Sequence, residues 1–155
     1  MSNQPTIVVT GTAGFIGSVF VQFLNEHGWD QLLLVDDFGV EAKRVNWEYK
    51  RFIKVIERQA FIEMLPHLEM KIDAIVHLGA RTDTTEFNYS IHELLNVEYS
   101  KALWQYATDK QIPFIYASSA ATYGAGEHGY SDGHDIINQL NPLNPYGVSK
   151  NEFDK

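Results

Sequence analysis

The chain has 155 residues and a mass of 17.7 kDa, the size of one ordinary domain. Hydrophobic residues make up 45% and charged residues 21%, which excludes wholesale disorder. There is no cysteine, so disulfides and thiolate sites are excluded, and the net charge of −8 argues against nucleic acid and anionic membranes as partners.

Thr6–Thr10 is a short β-branched run bounded by Pro5 and Gly11, which predicts a buried strand. Phe15 to His27 places Phe15, Ile16, Val19, Phe20, Phe23 and Leu24 at helical spacing, with Gly28 at the C-terminal end. Gln31–Val35 is a second apolar strand that runs into Asp36-Asp37. Residues 38–51 are polar with scattered aromatics and predict a loop with a short helix. Phe52–Ile56 is a third strand, and Gln59–Leu68 a helix that Pro66 shortens. Ala74–His77 is a fourth strand, followed by Leu78-Gly79-Ala80. Ile91–Lys110 repeats Leu94, Leu95, Tyr99, Leu103 and Tyr106 as a long amphipathic helix. Pro113–Ala117 is a fifth strand leading to Ser118-Ser119. A long loop over 124–145, rich in Gly, Asn, Asp, His and Pro, precedes a helix that starts near Pro145.

Uniformly apolar strands alternating with helices describe a doubly wound α/β fold with a parallel sheet, Rossmann-like. The expectation is that it is incomplete at its C-terminal end. No run reaches the roughly 18 apolar residues of a membrane span, and MSNQPTIVV lacks the charged and apolar regions of a signal peptide. A cytoplasmic location is therefore expected.

The turn after the first strand reads Thr10-Gly11-Thr12-Ala13-Gly14-Phe15-Ile16-Gly17. Gly11 suits a tight turn, Gly14 lets a pyrophosphate approach the backbone, and Gly17 lets the helix pack closely. The amides of Phe15 and Ile16 open the helix, whose positive end suits an anion. Asp36 ends the second strand at the spacing expected of a dinucleotide fingerprint. A carboxylate there holds ribose hydroxyls and favours NAD, whereas Lys43, Arg44 and Arg58 follow and could meet the 2′-phosphate of NADP. From the residues alone the choice stays open.

Tyr146 and Lys150 stand four apart, on one face of the last helix. A free tyrosine titrates near pH ~10, and a neighbouring ammonium lowers that value towards a working base. Ser119, at the carboxyl end of the fifth strand, can orient a substrate oxygen towards Tyr146. Asn96 is a further polar candidate, with a place on the helix surface or at a helix kink as its alternative. The six histidines show no metal-like clustering. His128 and His134 share a loop with Asp132 and Asp135 but make only a weak metal motif, and His77 reads as a hydrogen-bonded core or cofactor-lining residue.

Thr10–Gly17, Ala117-Ser-Ser-Ala-Ala-Thr-Tyr-Gly124 and Pro145-Tyr-Gly-Val-Ser-Lys150 resemble the extended short-chain dehydrogenases/reductases. Thr84-Thr85-Glu86-Phe87 after Gly79-Ala80, with Leu143-Asn-Pro-Tyr-Gly147, most resembles the ADP-L-glycero-D-manno-heptose 6-epimerases among them. The resemblance covers essentially the whole chain as the N-terminal half of such an enzyme. It implies tightly held NADP, with NAD as the alternative, and inversion at C6 of an ADP-heptose through a transient ketone. It also implies a role in lipopolysaccharide core precursor synthesis and a homo-oligomer, a pentamer. The catalytic residues it implies are Ser119, which binds substrate, Tyr146 and Lys150. The cofactor side would comprise Gly11, Gly14, Phe15, Ile16, Gly17, Asp36, Asp37, Lys43 and Arg58, then Leu78, Gly79, Ala80, Arg81, Thr82 and Asn96, with Tyr146 and Lys150.

The sequence departs from that pattern at three places. Asp37 stands where asparagine is frequent, Arg58 stands where lysine is usual, and Glu57 is the nearest carboxylate to the acid usual after the third strand. A second acid–base lysine, the last strands and the substrate-binding domain are expected beyond Lys155. Residues 1–155 then form a partial NAD(P)-binding domain, expected by itself to hold cofactor weakly or not at all and to be inactive. The alternatives are a UDP-sugar 4-epimerase, a nucleotide-sugar dehydratase, or a dinucleotide-binding module without catalysis. Ser119, Tyr146 and Lys150 together favour an enzyme.

Overall fold

The computed structural model describes residues 4–155. Five parallel strands form one sheet in the order β3-β2-β1-β4-β5. They are β1 (Ile7–Thr10), β2 (Leu32–Asp36), β3 (Lys54–Glu57), β4 (Ala74–His77) and β5 (Phe114–Tyr116). The helices are α1 (Phe15–Glu26), α2 (Arg58–Met64), α3 (Tyr89–His92), α4 (Tyr99–Asp109) and α5 (Pro145–Asp154). This is the doubly wound α/β arrangement expected from the alternation of strands and helices. The strand order reverses outward from β1, so the ends of β1 and β4 flank the switch point.

β1 and β2 are buried on both faces because they occupy the sheet interior, and a continuous apolar run suits that position. Val9, Leu32, Leu34 and Val21 form the core with Ile7, Leu24 and Val76. Truncating one of its leucines to alanine costs about 2–5 kcal/mol. β3 and β5 are edges. Lys54 lies exposed on one and Ile115 on the other, so the all-apolar reading holds for the central strands only.

Several local expectations are corrected. The third strand starts two residues and ends one residue later than 52–56, and α2 ends at Met64, with Pro66 inside a 3-10 turn over Leu65–His67. The short helix of the 38–51 loop is a 3-10 helix, Glu41–Asn46. α1 has the predicted period but buries Gly17, Ser18, Val21, Leu24 and Asn25, leaving Phe15, Ile16, Val19 and Phe23 exposed. The helix predicted from Ile91 starts at Tyr89 and passes through a π-helical stretch, Glu93–Glu98, before α4. The wider turn changes the facing set, so Leu94 is exposed while Asn96 and Val97 are buried.

The chain divides into two compact units. One runs to Gly79 and includes Leu103–Tyr116; the other comprises Ala80–Ala102 and Ala117–Lys155. The sheet, α1 and α2 lie in the first. The second holds α3, the π-helical stretch and α5. Among the described residues no helix is long and apolar enough to cross a membrane.

Candidate active site

The first unit carries the glycine loop between β1 and α1. Gly11 has φ +76°, and a Cβ on it would lie 2.6 Å from the Gly79 amide nitrogen. Close approach of the loop to the end of β4 therefore requires glycine there. A Cβ on Gly17 would lie 2.1 Å from the Gly11 carbonyl oxygen, so this glycine closes the helix onto the loop rather than onto the strand. At Gly14 a Cβ would meet the same oxygen at 3.2 Å, a far smaller obstacle.

Polar contacts pin the loop. Ala13 donates its N–H to Asp36 Oδ2 at 2.8 Å, and its carbonyl accepts from Asn46 Nδ2 at 2.8 Å. Asp36 Oδ1 accepts from the Asp37 amide at 2.7 Å. Thr10 Oγ1 lies 2.7 Å from His77 Nδ1 and accepts from the Gly79 amide at 3.0 Å. His77 is thus a buried, hydrogen-bonded core histidine. Leu78 packs against the core.

α1 begins at Gly14 without a side-chain cap and has no acidic residue in its first turn. The amides of that turn have no intrahelical acceptor, and Phe15 (81% exposed) and Ile16 (66%) lie at the surface. Those residues fit the pyrophosphate of a dinucleotide: uncapped donors, the positive end of a helix, and no Cβ at Gly14.

At the far end of β2, Asp37 Oδ2 lies 3.3 Å from the Arg58 guanidinium, and Asp37 Oδ1 accepts from the Gly39 amide at 3.1 Å. Glu57 pairs with Asp36 in the sheet register and accepts from the Phe38 amide at 3.1 Å. Lys43 is exposed on the 3-10 helix, and Arg44 is engaged by Glu41 and Glu48.

The second unit carries Ala80, Arg81, Thr82, Asn96, Ser119, Tyr146 and Lys150. Asn96 is fully buried within the π-helical stretch. Its Oδ1 accepts from the Arg81 amide at 2.7 Å, and its Nδ2 donates to the Arg81 carbonyl at 3.0 Å and to Ser149 Oγ at 2.9 Å. Ser149 Oγ in turn donates to the Tyr146 carbonyl at 2.7 Å. One amide thereby joins the segment after β4 to α5, which replaces the helix-surface reading with a buried kink. His92, also fully buried, reaches the Glu86 carbonyl at 3.2 Å, and its ring centre lies 6.3 Å from that of Tyr146.

Asn144 caps α5 by accepting from the Gly147 amide at 2.8 Å, and Pro145 takes the first helical position, where its missing N–H is harmless. Ser119 caps the 3-10 turn Ala120–Tyr123, its Oγ accepting from the Ala121 amide at 3.2 Å. The Ala121 carbonyl comes so close to Gly147 that a Cβ there would sit 2.7 Å away, so Ser119 lies beside the start of α5. Lys150 is 2% exposed. Burial pushes its pKa below the ordinary value, and the Asp154 carboxylate one turn on opposes that shift. Asp154 Oδ2 accepts from Ser118 Oγ at 2.5 Å. Among the described residues no group of three or more His, Asp or Glu gathers as a metal site.

Residues 7–155 match the model of the NAD dependent epimerase/dehydratase family. The chain belongs to that family. It is 43% identical over 152 residues to the ADP-L-glycero-D-manno-heptose-6-epimerase of Fusobacterium nucleatum, covering 96% of this chain and 46% of the relative. Identity to the enzyme of the same name from Nitratidesulfovibrio vulgaris strain Hildenborough is 41% over 149 residues, covering 95% and 46%. The crystal structure of the Helicobacter pylori ADP-L-glycero-D-manno-heptose-6-epimerase superposes with a TM-score of 0.78 at 28% identity. It covers 97% of this chain and 49% of that one. The chain thus spans about half the length of the curated relatives it matches.

The glycine loop and α5 are both held by side chains remote from them in sequence. Four residues that hold them were not singled out by sequence reasoning: Asn46, His92, Ser149 and Asp154. Only Asp154 carried a sequence signal, as a carboxylate four residues after Lys150 on a helix.

Proposed function

We propose that this chain supplies the dinucleotide-binding and acid–base part of a sugar-nucleotide epimerase that inverts C6 of ADP-glycero-manno-heptose. The reaction class is carried by one observation: Tyr146 stands one turn from a buried Lys150 on α5. Relatives 41–43% identical and bearing that name support the substrate.

A nicotinamide dinucleotide, when bound, accepts a hydride from the sugar carbon and returns it to the opposite face. The resemblance implies NADP, met by Lys43 and Arg58, with NAD the alternative. The first-turn amides of α1 would hold its pyrophosphate, and Gly14, with no Cβ, leaves room for it. Tyr146, one turn from Lys150, takes the proton from the sugar hydroxyl. Ser119 orients that hydroxyl by a hydrogen bond. Asn96 and Ser149 hold α5 so that these groups stay in register. The enzyme would serve lipopolysaccharide core precursor synthesis in the cytoplasm as a homo-oligomer, a pentamer by resemblance.

The test joins this chain to the remaining half of the F. nucleatum relative and follows ADP-D-glycero-D-manno-heptose by NMR. The expected result is inversion at C6, lost by orders of magnitude in Tyr146→Phe while dinucleotide binding persists. Conversion of a UDP-hexose at C4 instead, or full activity of the variant, would overturn the proposal. The chain by itself is expected to show no turnover.

A further inference from the structure

We infer that Asp37 sets the cofactor preference of the glycine-loop site, favouring a dinucleotide without a 2′-phosphate, NAD over NADP. This rests on the dinucleotide reading above and departs from the cofactor the resemblance implies. Asp36 stands where the adenosine ribose is bound in this fold, with its carboxylate fixed by the Ala13 and Asp37 amides. Asp37 and Glu57 are held beside it in the same way, by the Gly39 and Phe38 amides. The ends of β2 and β3 thus bring three carboxylates to the turn after β2, all accepting from backbone within residues 13–39.

The cations near them are mostly engaged. Arg58 is ion-paired with Asp37 at 3.3 Å, and Arg44 with Glu48 at 2.8 Å. Lys43 makes no ion pair among the described residues, but it sits on the solvated face of the 3-10 helix, where salt screens it. A phosphate monoester brings a charge of about −2 and three acceptor oxygens. It would have to take Arg58 from Asp37 and sit beside the carboxylates. Bare ribose hydroxyls instead donate hydrogen bonds to the Asp36 carboxylate. Asp37 therefore acts twice against NADP, by repelling the phosphate and by occupying its guanidinium partner.

The experiment titrates the chain joined to the remaining half of the F. nucleatum relative, freed of bound cofactor, with NAD and with NADP by ligand-detected NMR, for wild type, Asp37→Asn, Arg58→Gln and the double variant. Wild type is expected to bind NAD about tenfold more tightly than NADP at low salt, with the gap closing as salt is added. Asp37→Asn is expected to strengthen NADP about tenfold with little change for NAD, and the double variant to lose that gain. Wild type binding NADP as tightly as NAD, or an unchanged ratio in Asp37→Asn, overturns this inference alone. Binding of neither dinucleotide at millimolar concentration overturns the dinucleotide reading together with it. Circular dichroism of each variant shows that the fold is intact, which is expected because Asp37 and Arg58 are both partly exposed.

Discussion

Lys150 is a long cation that the fold has taken out of water. Its folded pKa lies below the ordinary 10.5, so folding disfavours the charged form. The penalty is present near neutral pH and fades as pH rises through the depressed folded value, vanishing above the ordinary one. Lys150→Met is therefore expected to stabilise the chain by about 1 kcal/mol near neutral pH, a gain that shrinks towards pH ~10. Urea unfolding at the two pH values measures it, and a loss of stability near neutral pH would contradict the burial argument. The acid–base role proposed for Lys150 would account for a buried lysine at that position. The loop glycines divide in the same way. Gly17→Ala forces a Cβ against the Gly11 carbonyl and is expected to cost at least about 2 kcal/mol, read from chemical unfolding. Gly14→Ala, whose Cβ would meet that carbonyl at 3.2 Å, is expected to cost less stability than Gly17→Ala and to weaken dinucleotide binding sharply. Equal losses of stability in both would sink the distinction.

At the scale of elements, the π-helical stretch Glu93–Glu98 is the least regular part and holds the most consequential side chain. A π-turn re-aims a residue that an α-helix would carry elsewhere. Here it aims Asn96 inward, where one side chain satisfies both backbone groups of Arg81 and the Ser149 hydroxyl. Asn96→Leu would leave the buried Ser149 hydroxyl without that partner and release the segment after β4. The expected cost is about 2–3 kcal/mol. Hydrogen exchange should quicken in residues 80–82 and at the start of α5. Unchanged exchange there would show that α5 is held by its capping Asn144 and its packing instead.

At the scale of the molecule, apolar surface is distributed unevenly. β5 is a sheet edge on which Ile115 is 64% exposed, with Trp104 of α4 about half exposed in the same unit. Edge strands with exposed apolar side chains invite pairing with other chains. The chain is expected to associate as concentration rises. Ile115→Lys is expected to reduce that association in sedimentation velocity without lowering the melting temperature. Association that persists unchanged would place the contact elsewhere, the exposed Phe15, Ile16, Val19 and Phe23 of α1 being the next candidate.

Local physics explains what could be read in advance. Gly11, Gly14, Gly17, the β-branched strands, the Pro145 start of α5 and the Tyr146–Lys150 spacing are properties of neighbours in the chain. Steric limits, periodicity and helix geometry decide them within a few residues. Length suggested one ordinary domain, whereas the chain spans about half the length of its relatives, and net charge was silent about the uncapped helix end that a negative chain can still offer to an anion. The rest depended on residues far apart in sequence. Asn46 reaches the Ala13 carbonyl, Asp37 meets Arg58, and Asn96 meets both Arg81 and Ser149. Which face of α1 is buried, where the π-turn falls and whether Lys150 is wet or dry are also packing outcomes. Hydrogen-bond partners and dielectric environment belong to the folded neighbourhood, and no spacing along the chain encodes them.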